Sequence, residues 1–122
     1  MEKGLRFILA LGFVVLVYGG FATIQAAGDP EKGRPIYEKY CLLCHGPNGM
    51  GDGPQGQLMN PPAANFKSPE SLKRSDSELL KSIQEGHPLT AMTGWQNELN
   101  KREMMDVLSY IRKLSGQGDK GL

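Results

Sequence analysis

The sequence predicts an all-α fold: three main helices separated by glycine- and proline-rich loops. Two stretches point to the helices. Ser75-Asp-Ser-Glu78 and Asn100-Lys-Arg-Glu103 both have the form of a capping box, and each opens a run of apolar residues at helical spacing. A third points to the loops, because Gly46 to Gly56 carries five glycines and two prolines in eleven residues. No stretch shows the alternation that a half-buried strand requires.

Taken in order, residues 1–27 read as an export signal. Lys3 and Arg6 give a positive start, Phe7 to Tyr18 a charge-free apolar run, and Ala26, Ala27 and Gly28 small residues for a cleavage point. An uncleaved membrane anchor is the alternative, since the uncharged run to Ala27 approaches the ~20 residues that span a bilayer. In both cases the basic residues hold the N-terminus in the cytoplasm and put the domain, residues 28–116, on the far side of the membrane, a periplasmic location. Residues 117–122 read as a flexible polar tail.

Asp29-Pro30-Glu31 is a helix entry, with Asp as cap, Pro at the first position and an acid in the first turn. Pro35 lacks a donor and its ring crowds the preceding turn, so the helix either kinks there or becomes regular only near Arg34, and it ends at Tyr40. Gly33 and Tyr37 share one face of it. The segment Leu58 to Phe66 is apolar and stiffened by Pro61 and Pro62, which suits a wall against a cofactor. Ser68-Pro69-Glu70 starts a short helical turn. After the first capping box Leu79, Leu80 and Ile83 form one apolar face, and Gly86 ends that helix. Lys67, Lys73, Arg74 and Lys81 alternate with Glu70, Asp76 and Glu78, the pattern of a solvated face. From the second box Met104, Val107, Leu108, Ile111 and Leu114 recur with helical period; Arg112 and Lys113 suit the negative end, and Gly116 is the stop.

Charge excludes more than it suggests. Of 14 basic and 13 acidic residues, removing Lys3, Arg6 and Glu2 leaves 12 of each, so the exported part is neutral. No basic stripe points to nucleic acid, and no uniform field steers a partner. The glycine-rich loop lacks the GK[ST] ending of a phosphate cradle and the spaced carboxylates of a calcium loop. No pair of acids, serine triad or metal-plus-water set stands out, so the sequence does not read as an enzyme in its own right.

The chemistry lies in Cys41-Leu42-Leu43-Cys44-His45. Two thiols three apart followed by an imidazole suit covalent capture of one haem: each sulfur adds across a vinyl group while His45 ligates the iron from below. A redox dithiol is one alternative, but that chemistry sits at a helix start in a sheet-containing fold. Zinc is another, but it needs four ligands, and the chain has two Cys and two His in all.

From about Asp29 to Ser115 the chain resembles the class I c-type cytochromes, the small single-haem cytochrome c family, through CLLCHG, a downstream Met92 in GHPLTAMTGW, and a closing helix ending VLSYIRKL. The resemblance implies electron transfer between redox protein donors and acceptors on haem c, with Met92 as the second axial ligand to iron opposite His45. A thioether is a soft, neutral ligand that favours the ferrous state. Met59, His87 and an open site are the competing assignments for that position. Thr93 stands where relatives commonly have proline, which implies a less rigid loop. The resemblance further implies that Gly33, Tyr37 and Tyr110 meet where the first and last helices cross, and that a carbonyl near Pro61 or Pro62 accepts the second imidazole nitrogen. Trp95 reads as packing beside the haem, bonding a propionate, or plain core. Two other readings stand beside the free carrier: a cytochrome subunit of a larger membrane oxidoreductase, and a haem-based ligand sensor.

Overall fold

The structure, a computed structural model, describes residues 28–118. The expected signal or anchor at 1–27 and the tail from 119 to 122 lie outside the described residues. Five α-helices follow one another: α1 (Pro30–Tyr40), α2 (Leu42–His45), α3 (Pro69–Leu72), α4 (Asp76–Glu85) and α5 (Lys101–Leu114). Three of these, α1, α4 and α5, are the main helices expected. The described residues contain no strand, only a single antiparallel bridge between Gly86 and Thr93.

Helix α1 is helical from Pro30 onward. Asp29 accepts the Glu31 N–H at 2.9 Å, and the helix runs through Pro35. Of the two expected outcomes, a kink or a late start, the late start is absent: the bond that Pro35 cannot donate would have ended on the carbonyl of exposed Glu31, which water reaches. Both capping boxes are formed. Ser75 Oγ accepts the Glu78 N–H at 3.3 Å while Glu78 Oε2 accepts the Ser75 N–H at 2.7 Å. Asn100 and Glu103 do the same at 3.0 and 2.8 Å. Gly86, at φ 72°, ends α4 where few other residues fit.

The core is built on the α1–α5 crossing. A Cβ at Gly33 would run into the Asp106 carbonyl and lie 2.9 Å from Val107 Cα, so only glycine lets the two backbones approach this closely. One turn on, Tyr37 is 1% exposed, its ring 5.3 Å from Tyr110 and its hydroxyl donating to the Gly46 carbonyl at 2.7 Å. The buried Asp106 carboxylate accepts the Asp29 N–H at 2.7 Å and meets Arg102 at 3.2 Å, which ties the start of the domain to α5. Leu79 and Ile83 of α4 close the other flank of α5 against Met104, Leu108 and Ile111.

A polar clamp holds the segment before α4 onto the end of α5. Arg112 donates to Asp76 Oδ1 and to the Arg74 carbonyl, both at 2.7 Å, and its Nη1 donates to Gln117 Oε1 at 2.6 Å. Gln117 in turn donates through Nε2 to the Leu72 carbonyl at 3.1 Å. Gln117, expected in the frayed tail, is therefore tied into the domain. Asp76, expected on a solvated face, is half-buried in an ion pair.

Candidate cofactor site

One cavity of about 500 Å³ opens between the elements and is lined mainly by apolar side chains. Its size is that of a cofactor site. Cys41, Cys44, His45 and Met92 all border it, so four positions spread over 52 residues of sequence converge on one space.

The two cysteines come from the α1–α2 junction. Cys41 follows α1 and starts α2, and the single turn of α2 turns Cys44 and His45 to the same cavity. This short helix was not foreseen; its only local sign is that Cys41, Leu42 and Leu43 lack any turn-forming residue. Burial pushes the Cys41 thiol up to about 12, with Cys44 adding to the shift. A raised thiol is a poor nucleophile, which argues against Cys41 as the attacking sulfur of a redox dithiol.

His45 is held by three features. Its Nδ1 lies 3.1 Å from the Ala64 carbonyl. A carbonyl only accepts, so Nδ1 carries the proton and Nε2 keeps the lone pair that can bind a metal. Phe66 stacks on the ring at 4.5 Å and 19° between planes, and burial lowers the imidazole pKa, which keeps it neutral. The acceptor is Ala64, two to three residues beyond the Pro61–Pro62 region. Those prolines line the cavity themselves, and the acceptor lies just beyond them in the same wall segment.

Glycines and prolines at this density could let the loop turn tightly around a flat cofactor and reach it with backbone groups, but the structure gives the loop another task. None of residues 46–56 lines the cavity. The Gly51, Gly53 and Gln55 N–H groups donate to the His45, Cys44 and Leu43 carbonyls at 2.9, 3.2 and 3.0 Å. A Cβ at Gly56 would strike the Cys44 carbonyl oxygen. The loop thus braces the CLLCH turn from behind and leaves the cavity wall to Met59 through Phe66.

Met92 also borders the cavity, and it sits in a tied loop. Thr90 Oγ1 donates to the His87 carbonyl at 2.8 Å and accepts the Met92 N–H at 3.2 Å, while the Met92 carbonyl accepts the His87 N–H at 3.1 Å. Of the methionines in the described residues, only Met59 and Met92 border the cavity; Met50 is exposed and Met104 is in the core. His87 also borders it. Trp95 lines the cavity and packs on Tyr40 at 5.1 Å.

Arg74, placed by its charge pattern on a solvated face, instead lines the cavity. Among the described residues no group of three or more His, Cys, Asp or Glu side chains is positioned to hold a metal ion, which leaves zinc without a ligand set. A covalently attached haem fits the residues present: two nearby thiols, one fixed neutral imidazole and mainly apolar walls would hold it.

Comparison with known proteins agrees. The family model described as cytochrome c matches residues 30–115. The chain is 29% identical over 107 residues to the cytochrome c subunit of the quinone alcohol dehydrogenase of Gluconobacter oxydans, a match over 82% of this chain and 22% of that subunit. It is 29% identical over 90 residues to cytochrome c-554(547) of Halothiobacillus neapolitanus, covering 72% of this chain and 99% of that protein. Among solved structures, a chain of the Kuenenia stuttgartiensis reducing HAO-like protein complex superposes with TM-score 0.62 at 26% identity, over 70% of this chain and 42% of that one. The KustC0563 c-type cytochrome, at 24% identity and TM-score 0.55 over 70% of this chain and 95% of its own, shares the fold. The chain thus spans about a fifth of the alcohol dehydrogenase subunit and less than half of the HAO-like complex chain.

Proposed function

The chain belongs to the cytochrome c family, carrying covalently attached haem c on an all-α cytochrome c fold, and on that premise we propose that it is an exported one-electron carrier with His45 and Met92 as axial ligands. The haem supplies a ferrous/ferric couple; the polypeptide supplies attachment, orientation and exclusion of water. Cys41 and Cys44 carry the two thioether links. His45 presents Nε2 because Ala64 fixes Nδ1, and the stacked Phe66 holds the ring plane. Met92, whose loop is held by the Thr90 strut and which borders the same cavity, would supply the sulfur ligand. Were His45 and Met92 both bound to the iron, they would leave no place for oxygen, and the chemistry supplied would be electron transfer alone.

The observation that carries this reading is the convergence of Cys41, Cys44, His45 and Met92 on one apolar cavity. Met92 is preferred to Met59 because Thr90 and the Gly86–Thr93 bridge fix its loop, and to His87 because a thioether suits a carrier. The sulfur-to-iron charge-transfer band of the ferric protein is the test. It is expected to vanish in Met92→Ala, and its persistence there would assign the ligand to Met59.

The periplasmic location rests on the positive start and apolar run of residues 1–27. The likeness to an alcohol dehydrogenase subunit and to a chain of a protein complex supports a second reading, in which the domain serves within a membrane oxidoreductase. Co-purification with larger subunits from native membranes would favour that reading; a lone soluble haem protein in the periplasmic fraction favours the free carrier.

A further inference from the structure

Aromatic rings run in contact from the cavity to the crossing of α1 and α5. The series starts at His45, whose imidazole stacks on Phe66 at 4.5 Å and 19° between planes. Phe66 meets Tyr37 edge-on at 6.5 Å, and Tyr37 meets Tyr110 at 5.3 Å with the rings tilted by 60°. These separations are those of aromatic pairs in contact, so each ring touches the next. His45 and Phe66 border the cavity, whereas Tyr37 and Tyr110 do not. Tyr37 is buried, and the series comes out at half-buried Tyr110 on α5. A second leg joins the same points: the Tyr37 hydroxyl donates at 2.7 Å to the carbonyl of Gly46, the residue bonded to His45. Both legs leave from the histidine and meet at Tyr37.

We propose that this series is a second electron exit, coupling the iron through His45 to the face where α1 and α5 cross. The inference rests on a haem bound through His45. One electron moves and nothing else: the iron passes from ferrous to ferric, and a one-electron acceptor over Tyr110 is reduced. Tyr37 bridges without being oxidised. Oxidation of a phenol releases its hydroxyl proton, but the Gly46 carbonyl accepts a hydrogen bond without taking the proton, and burial raises the Tyr37 pKa. The rings are therefore a medium for tunnelling and not stations where charge rests. Around Tyr110 the face carries the exposed pairs Arg34–Glu38 at 2.8 Å and Lys113–Glu31 at 2.6 Å, whose charges cancel. It suits a redox protein whose docking face mixes both signs. A donor at the cavity and an acceptor at the crossing are then served at once, without exchange of partners.

Intramolecular photochemistry tests the exit in haem-loaded protein, where absence of the haem spectrum marks failure of the haem premise and not of this one. A ruthenium polypyridyl label is attached one turn from Tyr110 through Lys113→Cys, which gives up only an exposed ion pair. In a second preparation it is attached through Leu89→Cys, fully exposed between Pro88 and Thr90, which border the cavity. An external electron acceptor oxidises the excited label, and the rate at which ferrous haem reduces it back is read. The midpoint potential of each variant is measured so that rates are compared at equal driving force. Phe66→Leu keeps an apolar side chain but removes the ring; it is expected to slow transfer to position 113 severalfold and to leave transfer to position 89 unchanged. Tyr37→Phe keeps the ring, loses the bond to Gly46 and should slow transfer to position 113 by less. A merely packed aromatic cluster would give either the parent rate to position 113 in Phe66→Leu or equal slowing to both labels, and each of these results would overturn the proposal. Should Phe66→Leu fail to mature, Tyr110→Leu decides by the same comparison of the two labels.

Discussion

Gly33→Ala probes the helix crossing on which the site is hung. The added methyl would sit 2.9 Å from Val107 Cα and closer still to the Asp106 carbonyl, against an optimal carbon separation of about 3.5–4.0 Å. Both obstacles are backbone, so no side chain can rotate away; α1 and α5 must separate by roughly 1 Å. Overpacking of this kind costs about 3 kcal/mol, at the upper end of its usual range, because the strain falls on two rigid helices. Alanine returns about 1 kcal/mol through its better helix propensity. The net loss is about 2 kcal/mol, and for a domain of this size that lowers the melting temperature by roughly 10 °C. The Asp29 N–H bond to Asp106 and the Tyr37–Tyr110 contact lie on either side of the clash and should loosen with it. Thermal melts of the holoprotein followed by circular dichroism make the measurement. A variant as stable as wild type would show that the helices are not in backbone contact and would refute the packing argument.

The site and the caps give further outcomes. Thr90→Val removes the strut under Met92; the loss of about 1 kcal/mol of hydrogen bonding should raise the population of the open loop about fivefold, seen as increased carbon monoxide binding to the ferrous protein. Phe66→Ala strips the ring stacked on His45 and should cost about 2 kcal/mol, less than a fully buried aromatic because Phe66 is half-buried, with equilibrium denaturation as the assay. Hydrogen bonds from Ser75 hold the Glu78 carboxyl below its ordinary value of 4.5. The stabilisation is complete above that value and is lost as pH falls through the lower, folded-state value, so the stability difference between wild type and Glu78→Gln should shrink in acid. A constant difference from pH 6 to pH 3 would contradict it.

What could be read from the sequence is what local chemistry decides. The capping boxes of α4 and α5 need partners three residues apart, and both formed as their spacing indicates. Gly33, Tyr37 and Tyr110 could be placed because helical period sets a face and the family sets which faces cross. The misreadings arise where distant residues decide. Arg74 looked like part of a charged surface, but the grip of Arg112, 38 positions away, turns its segment toward the cavity. The acceptor for His45 fell at Ala64 because the glycine loop fixes this segment from either side of it: the Ala63 N–H donates to the Gly56 carbonyl at 3.2 Å and the Phe66 N–H to the Gly49 carbonyl at 2.7 Å. Asp106 gave no sign of burial: its partner is a backbone N–H contributed by Asp29, far back in the chain.

The account depends most on a haem tethered through the CLLCH turn, and peptide mapping by mass spectrometry tests this directly. Protein matured in a haem-loading host, denatured and digested, should yield the peptide containing Cys41 to His45 heavier by one haem, with no free thiol. The same peptide at its bare mass, with both thiols free or joined to each other, would contradict the account.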